Sequence, residues 1–230
     1  MKDLSKVLFI IQARLNSERV PNKMLRPFGD TNLFSLSLDK IKQSDIPLEQ
    51  FYVSVHEKKL KDIATEKGIQ IYNRSYESAN EDNDLQLIYE WWDKFPQYEY
   101  CILINSCNLF LEVDTINQFL DTFINSEHEG LFGVFPKKQY YWNEDGELIT
   151  SWPMGIDIMN TKEVETIYEA GHCLYAGRLD LIGKGKWMGE PPYTKNNPAL
   201  FTISEFEALD IDYEWQFELL TGHWCKVNGH

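Results

Sequence analysis

Through the first 135 residues, short apolar runs alternate with longer segments whose apolar positions recur at helical spacing. Runs rich in Ile, Val, Phe and Tyr at 7–11, 51–55, 69–72, 100–105 and 131–135 have the length and composition of strands. The segments 32–43, 57–67, 84–94 and 113–125 read as helices, the last after an acidic start at Glu112. Strands separated by helices in this way pack as a mostly parallel sheet with helices on both faces, since right-handed crossovers allow little else. In such an α/β sandwich, ligands bind beyond the carboxyl ends of the strands, where the loops gather.

After Phe135 the texture changes. Aromatic and polar residues on either side of Asn143-Glu-Asp-Gly146 predict a hairpin within 136–152, followed by a strand at 156–160 and a helix at 161–170. Gly and Pro become dense over 171–198, which reads either as an arm packing on a second subunit through Leu174, Tyr175, Leu179, Leu181 and Trp187, or as an ordinary surface loop. A strand at 199–203 and a helix at 214–221 close a single domain spanning 1–230, with no internal repeat.

With 43% hydrophobic residues, the 230-residue chain can bury one substantial core. No apolar run approaches the roughly 18 residues of a membrane span, and the amino terminus lacks the pattern of a secretory signal, so a cytoplasmic protein is expected. Cys101, Cys107, Cys173 and Cys225 form no CxxC pair and are expected to be reduced. A formal charge of −14 disfavours a nucleic-acid partner.

Against that acidity, the segment after the first strand carries Arg14, Arg19, Lys23 and Arg26 with only Glu18 opposing them. Together with Asn16 and Ser17, these cations place several donors above the sheet edge, an arrangement able to wrap a polyphosphate. The other reading, a solvated loop with its arginines on surface acids, fits any one of these residues alone better than it fits the set. A second signal lies at Asp210-Ile-Asp212, where alternation puts two carboxylates on one side of an extended segment, able to share Mg²⁺. Two acids ahead of a helix also serve as a cap, so the pair carries weight chiefly together with the cationic loop. His172, Cys173, His223, Cys225 and His230 are too irregularly spaced for a zinc site.

The amino-terminal segment resembles the signature A-R-x-x-S-x-R-L-P-x-K-x-L of the cytidylyltransferase family that includes acylneuraminate, Kdo and spore-coat-polysaccharide types. Ala13, Arg14, Ser17, Arg19, Pro21, Lys23 and Leu25 match it, with Val20 for Leu. Asp210, Ile211, Asp212 and Phe217 are similar to the family ending D-I-D-T-x-x-D-F, from which Tyr213 and Gln216 depart. The resemblance implies a Rossmann-like three-layer sandwich of the nucleotide-diphospho-sugar transferase type and a homodimer. It further implies transfer of CMP from CTP to a small polar acceptor, with Ala13, Arg14, Asn16, Ser17, Arg19, Lys23 and Arg74 around the nucleotide. Asp210 and Asp212 would hold Mg²⁺, and Asn105, Trp152 and Gly155 would border the acceptor. Two segments depart: Val55-His56-Glu57 replaces an acidic T-D-D or T-D-G, and residues 104–112 lack the family's Arg or Asp. Two alternatives stay open, a metal-dependent glycosyltransferase and a catalytically weakened nucleotide-binding protein.

Overall fold

The strands predicted in the first half are all present in the computed structural model, which describes residues 1–229 and places His230 outside the described residues. β1 (Val7–Gln12) is flanked by β2 (Phe51–Val55) and β4 (Tyr100–Ile104), and β3 (Gln70–Asn73) lies outside β2, all parallel. The helices α1 (Leu33–Gln43), α2 (Lys58–Glu66) and α5 (Val113–Asn125) supply the crossovers. Burial explains the unbroken apolar run of β1: Val7 through Ile11 are fully buried, as a strand covered on both faces requires. Phe9 and Ile11 join the core under α1, α2 and α5, whereas Leu8 and Ile10 face a second cluster built on Trp91.

The segment predicted as one helix over 84–94 breaks in two. α4 (Leu85–Ile88) ends at Tyr89, whose backbone leaves helical geometry at φ −107° and ψ 41°, and a 3-10 turn covers Glu90–Asp93. The break lets Trp91 bury completely, with its indole N–H donating to Gln12 Oε1 at 2.8 Å. A further short helix, α3 (Tyr76–Ala79), precedes it.

The largest corrections fall after β5 (Leu131–Lys137). The hairpin expected within 136–152 forms but is short, with an antiparallel bridge from Trp142 to Leu148 around the turn at Gly146. Residues 156–160 are not a strand. The helix expected at 161–170 is replaced by turns and by β6 (Ile167–Arg178), a long strand that runs antiparallel between β4 and β5. The sheet order is β3-β2-β1-β4-β6-β5-β7, with β7 (Ala199–Thr202) parallel to β5. Local spacing favoured a helix at 161–170, but Ile167–Ala170 pair with Val134–Lys137 of β5, at the start of a strand whose far end, Leu174–Arg178, pairs with β4.

The arm expected at 171–198 therefore begins inside the sheet. It continues through α6 (Leu179–Ile182), and Leu174, Leu179 and Trp187 are buried within the chain itself. α7 (Glu205–Ala208) follows β7, and the closing helix α8 (Glu214–Asn228) runs longer than predicted. No helix among the described residues is long and apolar enough to cross a membrane.

Candidate active site

The cationic loop leaves β1 at the carboxyl edge of the parallel strands. Its course is set by apolar anchors, since Val20 and Met24 are buried in the core while the arginines around them, Arg14, Arg19 and Arg26, stay nearer the surface. Asn22 adopts φ +55° and accepts at its carbonyl from the N–H groups of Leu25 and Arg26, turning the chain toward α1. The other end is tied by Ala13 N–H to Ser54 O at 3.2 Å and by Leu15 N–H to Glu57 Oε1 at 2.7 Å. Glu57, seen in sequence only as a departure from the family pattern, thus supports the loop.

This loop meets the segment before α8. Arg19 is 2.7 Å from Asp212 Oδ1, and Lys23 Nζ lies 3.6 Å from the same oxygen and donates to Ile211 O at 2.5 Å. Gln216 closes α8's first turn, its Oε1 accepting from the N–H groups of Asp212 and Tyr213. That is a capping role for one of the two residues that departed from the family ending. Arg26 is drawn away from the site, pairing with Glu214 at 2.7 Å and lying over the Phe217 ring.

Two adjoining cavities open here. The larger, about 580 Å³, is lined by Ala13, Arg14, Asn16, Ser17, Arg19 and Lys23, with Asn80, Asp82, Ser106 and Cys107 opposite. The smaller, about 270 Å³, is lined by Arg74, Tyr89, Asn105 and Tyr175 among others, and it shares Gln12, Ala13, Arg14 and Asp82 with the first. All seven residues expected around the nucleotide therefore line one cavity or the other. Arg74 is buried and held by Ser78, donating from Nε to Oγ at 2.9 Å and from Nη2 to the carbonyl oxygen at 2.6 Å. Burial, with Arg14 nearby, brings its pKa down to about 10.

Of the residues expected at the acceptor, only Asn105 lines a cavity; its amide donates to His172 O at 2.8 Å. Trp152 stacks near Tyr140 at 5.4 Å and donates to Ile156 O, and neither it nor Gly155 lines either cavity. The insertion that carries them folds on itself, which spacing alone could not reveal. Asn80, Asp82 and Cys107 are the residues that sequence reasoning missed. The polar run Asn80-Glu-Asp-Asn-Asp84 was the available signal for the first two, and Cys107 had none.

Electrostatically the site centres on Lys23. Burial pulls its pKa down, but Cys107, Asp210 and Asp212 outweigh this and leave it above the ordinary value. Burial raises the Asp210 carboxyl, against the pull of Lys23, and pushes the Cys107 thiol up to about 12. Asp210 Oδ1 is buried with no hydrogen-bond partner, the condition of an oxygen that a cation could satisfy. Among the described residues no group of three or more His, Cys, Asp and Glu could hold a metal. A two-carboxylate donor set suits Mg²⁺, which takes one or two carboxylates and fills its remaining positions with water and phosphate oxygen, and it does not suit zinc.

A mostly parallel sheet with cations and carboxylates converging at its carboxyl edge defines an enzyme of the nucleotidyltransferase class. The chain belongs to the cytidylyltransferase family, whose family model matches residues 8–210. It is 30% identical over 212 residues to the spore coat polysaccharide biosynthesis protein SpsF of Bacillus subtilis, covering 89% of this chain and 76% of that protein. It is also 23% identical over 230 residues to the post-translational flagellin modification protein B of Campylobacter coli, covering 94% of each. Among solved structures, CMP:2-keto-3-deoxy-manno-octonic acid synthetase complexed with CTP superposes with a TM-score of 0.68 at 11% identity, over 97% of this chain and 100% of that one. The 4-diphosphocytidyl-2C-methyl-D-erythritol synthase of Anaerococcus prevotii superposes at 0.66 with 10% identity, over 96% and 99%. At those identities the likeness speaks to the fold alone.

Proposed function

We propose that this cytidylyltransferase moves CMP from CTP to a sugar acid or another small polar acceptor, releasing pyrophosphate, in the biosynthesis of a surface glycan. The observation that carries the reading is the meeting of Arg19 and Lys23 with Asp212 at the edge of a cavity lined by Arg14 and Ser17. Triphosphate oxygens take up these donors, and charge-assisted hydrogen bonds are roughly twice as strong as neutral ones.

An acceptor oxygen attacks the α-phosphorus, a bond forms between them as a hydroxyl acceptor gives up its proton to solvent, and the bond to the bridging oxygen of pyrophosphate breaks with its electron pair leaving on pyrophosphate. Protein catalysis of this kind rests on positioning and on stabilising charge on the phosphoryl oxygens. Arg14, Arg19 and Lys23 supply fixed positive charge, and Asn105 and Tyr175 border the smaller cavity. Asp210 and Asp212 would hold Mg²⁺, which neutralises phosphate charge when bound. Incubating the protein with CTP and a panel of sugar acids and phosphorylated metabolites, with pyrophosphate as readout, tests the reading. Release of a nucleoside diphosphate instead would indicate glycosyl transfer.

One observation favours a second reading, a nucleotide-binding protein weakened in catalysis: a neutral thiol, Cys107, stands beside Lys23 in a loop without the family's Arg or Asp. CTP binding with no turnover across the panel supports it. We also propose a homodimer, formed through exposed Ile149, Met154, Ile158 and Met159 in place of the expected arm. Light scattering at the monomer mass of 27.0 kDa would overturn it.

A further inference from the structure

The loop between α3 and α4 reaches over the phosphate loop and takes hold of it. Asp82 Oδ1 lies 2.6 Å from Arg14 Nη2, Arg14 Nη1 donates to Ala79 O at 3.2 Å, and the Asn16 amide donates to Asn80 Oδ1. The reaching loop is itself preorganised, because Glu81 Oε1 accepts from the N–H groups of Asp82, Asn83 and Asp84. Asp82 and Arg14 are both among the few residues shared by the two cavities, so their ion pair stands where the cavities join. A ligand that runs from one cavity into the other must pass this pair.

We propose that Asp82 is a built-in competitor for the phosphate site: its carboxylate occupies Arg14 in the free protein and yields it to an incoming phosphate. The proposal rests on the triphosphate reading of the larger cavity. Chemistry and exposure both favour exchange. A carboxylate makes the same charge-assisted bonds to a guanidinium as a phosphate does. The Arg14 side chain is 33% exposed and that of Asp82 67%, and ion pairs this open contribute little, so a more highly charged ligand displaces the carboxylate. After displacement, Asp82 remains beside the bound anion and repels it. The loop thus holds the cations in order when the site is free, at a small loss of affinity.

Calorimetric titration of the full chain with inorganic tripolyphosphate, and separately with CTP, each with Mg²⁺ and no acceptor, tests this. Asp82→Asn should tighten both by about three- to ten-fold, the scale of an exposed pair plus relieved repulsion. Asp82→Glu, which keeps the charge, should not. In an Arg14→Ala background the gain should shrink by at least half, since the cycle isolates the part that passes through Arg14. Unchanged or weaker binding by Asp82→Asn, or an equal gain without Arg14, overturns the proposal while wild-type CTP binding leaves the nucleotide reading standing. A gain for tripolyphosphate with no binding of CTP does the reverse. If neither anion binds any variant, both fall.

Discussion

Lys23 Nζ lies 3.6 Å from Asp212 Oδ1 and 2.5 Å from the carbonyl oxygen of Ile211, joining the first loop of the chain to the segment before its last helix. The lysine is held by its neighbours at both ends of the site, with Asp210 adding to the attraction of Asp212. Because its side chain is only 12% exposed, the position of its charge is set by the fold and not by solvent.

From this geometry, Arg14→Ala and Asp212→Asn should each lower CTP-dependent pyrophosphate release by on the order of 10²-fold. Both positions are partly exposed, so the melting temperature should stay close to wild type. Rates within a few-fold of wild type in either variant would refute the assigned roles. Steady-state kinetics with a circular dichroism melt measures both quantities.

Trp91 connects the second core cluster to the site through its bond to Gln12, which lines both cavities. Trp91→Phe should cost about 1–3 kcal/mol of stability through lost volume and an unpaired Gln12 amide oxygen. It should also raise KM for CTP more than it lowers kcat, because Gln12 then loses its fixed orientation. Urea denaturation and kinetics on the same preparation would expose a purely structural role.

Lys40 gives a pH signature. It is partly buried on α1, donates to Leu109 O at 2.6 Å, and desolvation lowers its pKa to about 8, against the opposing pull of Glu207 and Glu112. Below about pH 8 the folded protein carries a partly desolvated charge, and between about 8 and 10.5 the unfolded chain binds more protons than the folded one. The contribution of Lys40 to stability therefore rises with pH across that window, by roughly 1–3 kcal/mol. Lys40→Met should flatten the rise. A wild-type curve no steeper than that of the variant would contradict the assignment.

The donor set of Asp210 and Asp212 predicts that Mg²⁺ strengthens CTP binding and that EDTA removes the gain. Asp210→Asn should lose most of this metal dependence while binding CTP in EDTA about as well as the wild type. Titrations with and without metal separate the cases, and an equal metal response in the variant would take Asp210 out of the site.

Much of the fold was legible because periodicity reports local burial. The alternation of five apolar strands with helical segments, the cationic loop and the Asp210-Ile-Asp212 pair could all be read from residue order, since each needs only near neighbours to define it. Tertiary structure decided the rest. Residues 167–178 became a strand because two edges of the sheet were available to them, and long-range pairing outweighs local helical spacing. Trp152 and Gly155 were held in a self-contained insertion, while Asp82 and Glu57 came to the site through side-chain contacts with residues 68 and 42 positions away. Sequence order carries no record of such distances; they exist only once the crossovers have closed and the core has fixed the loops against one another.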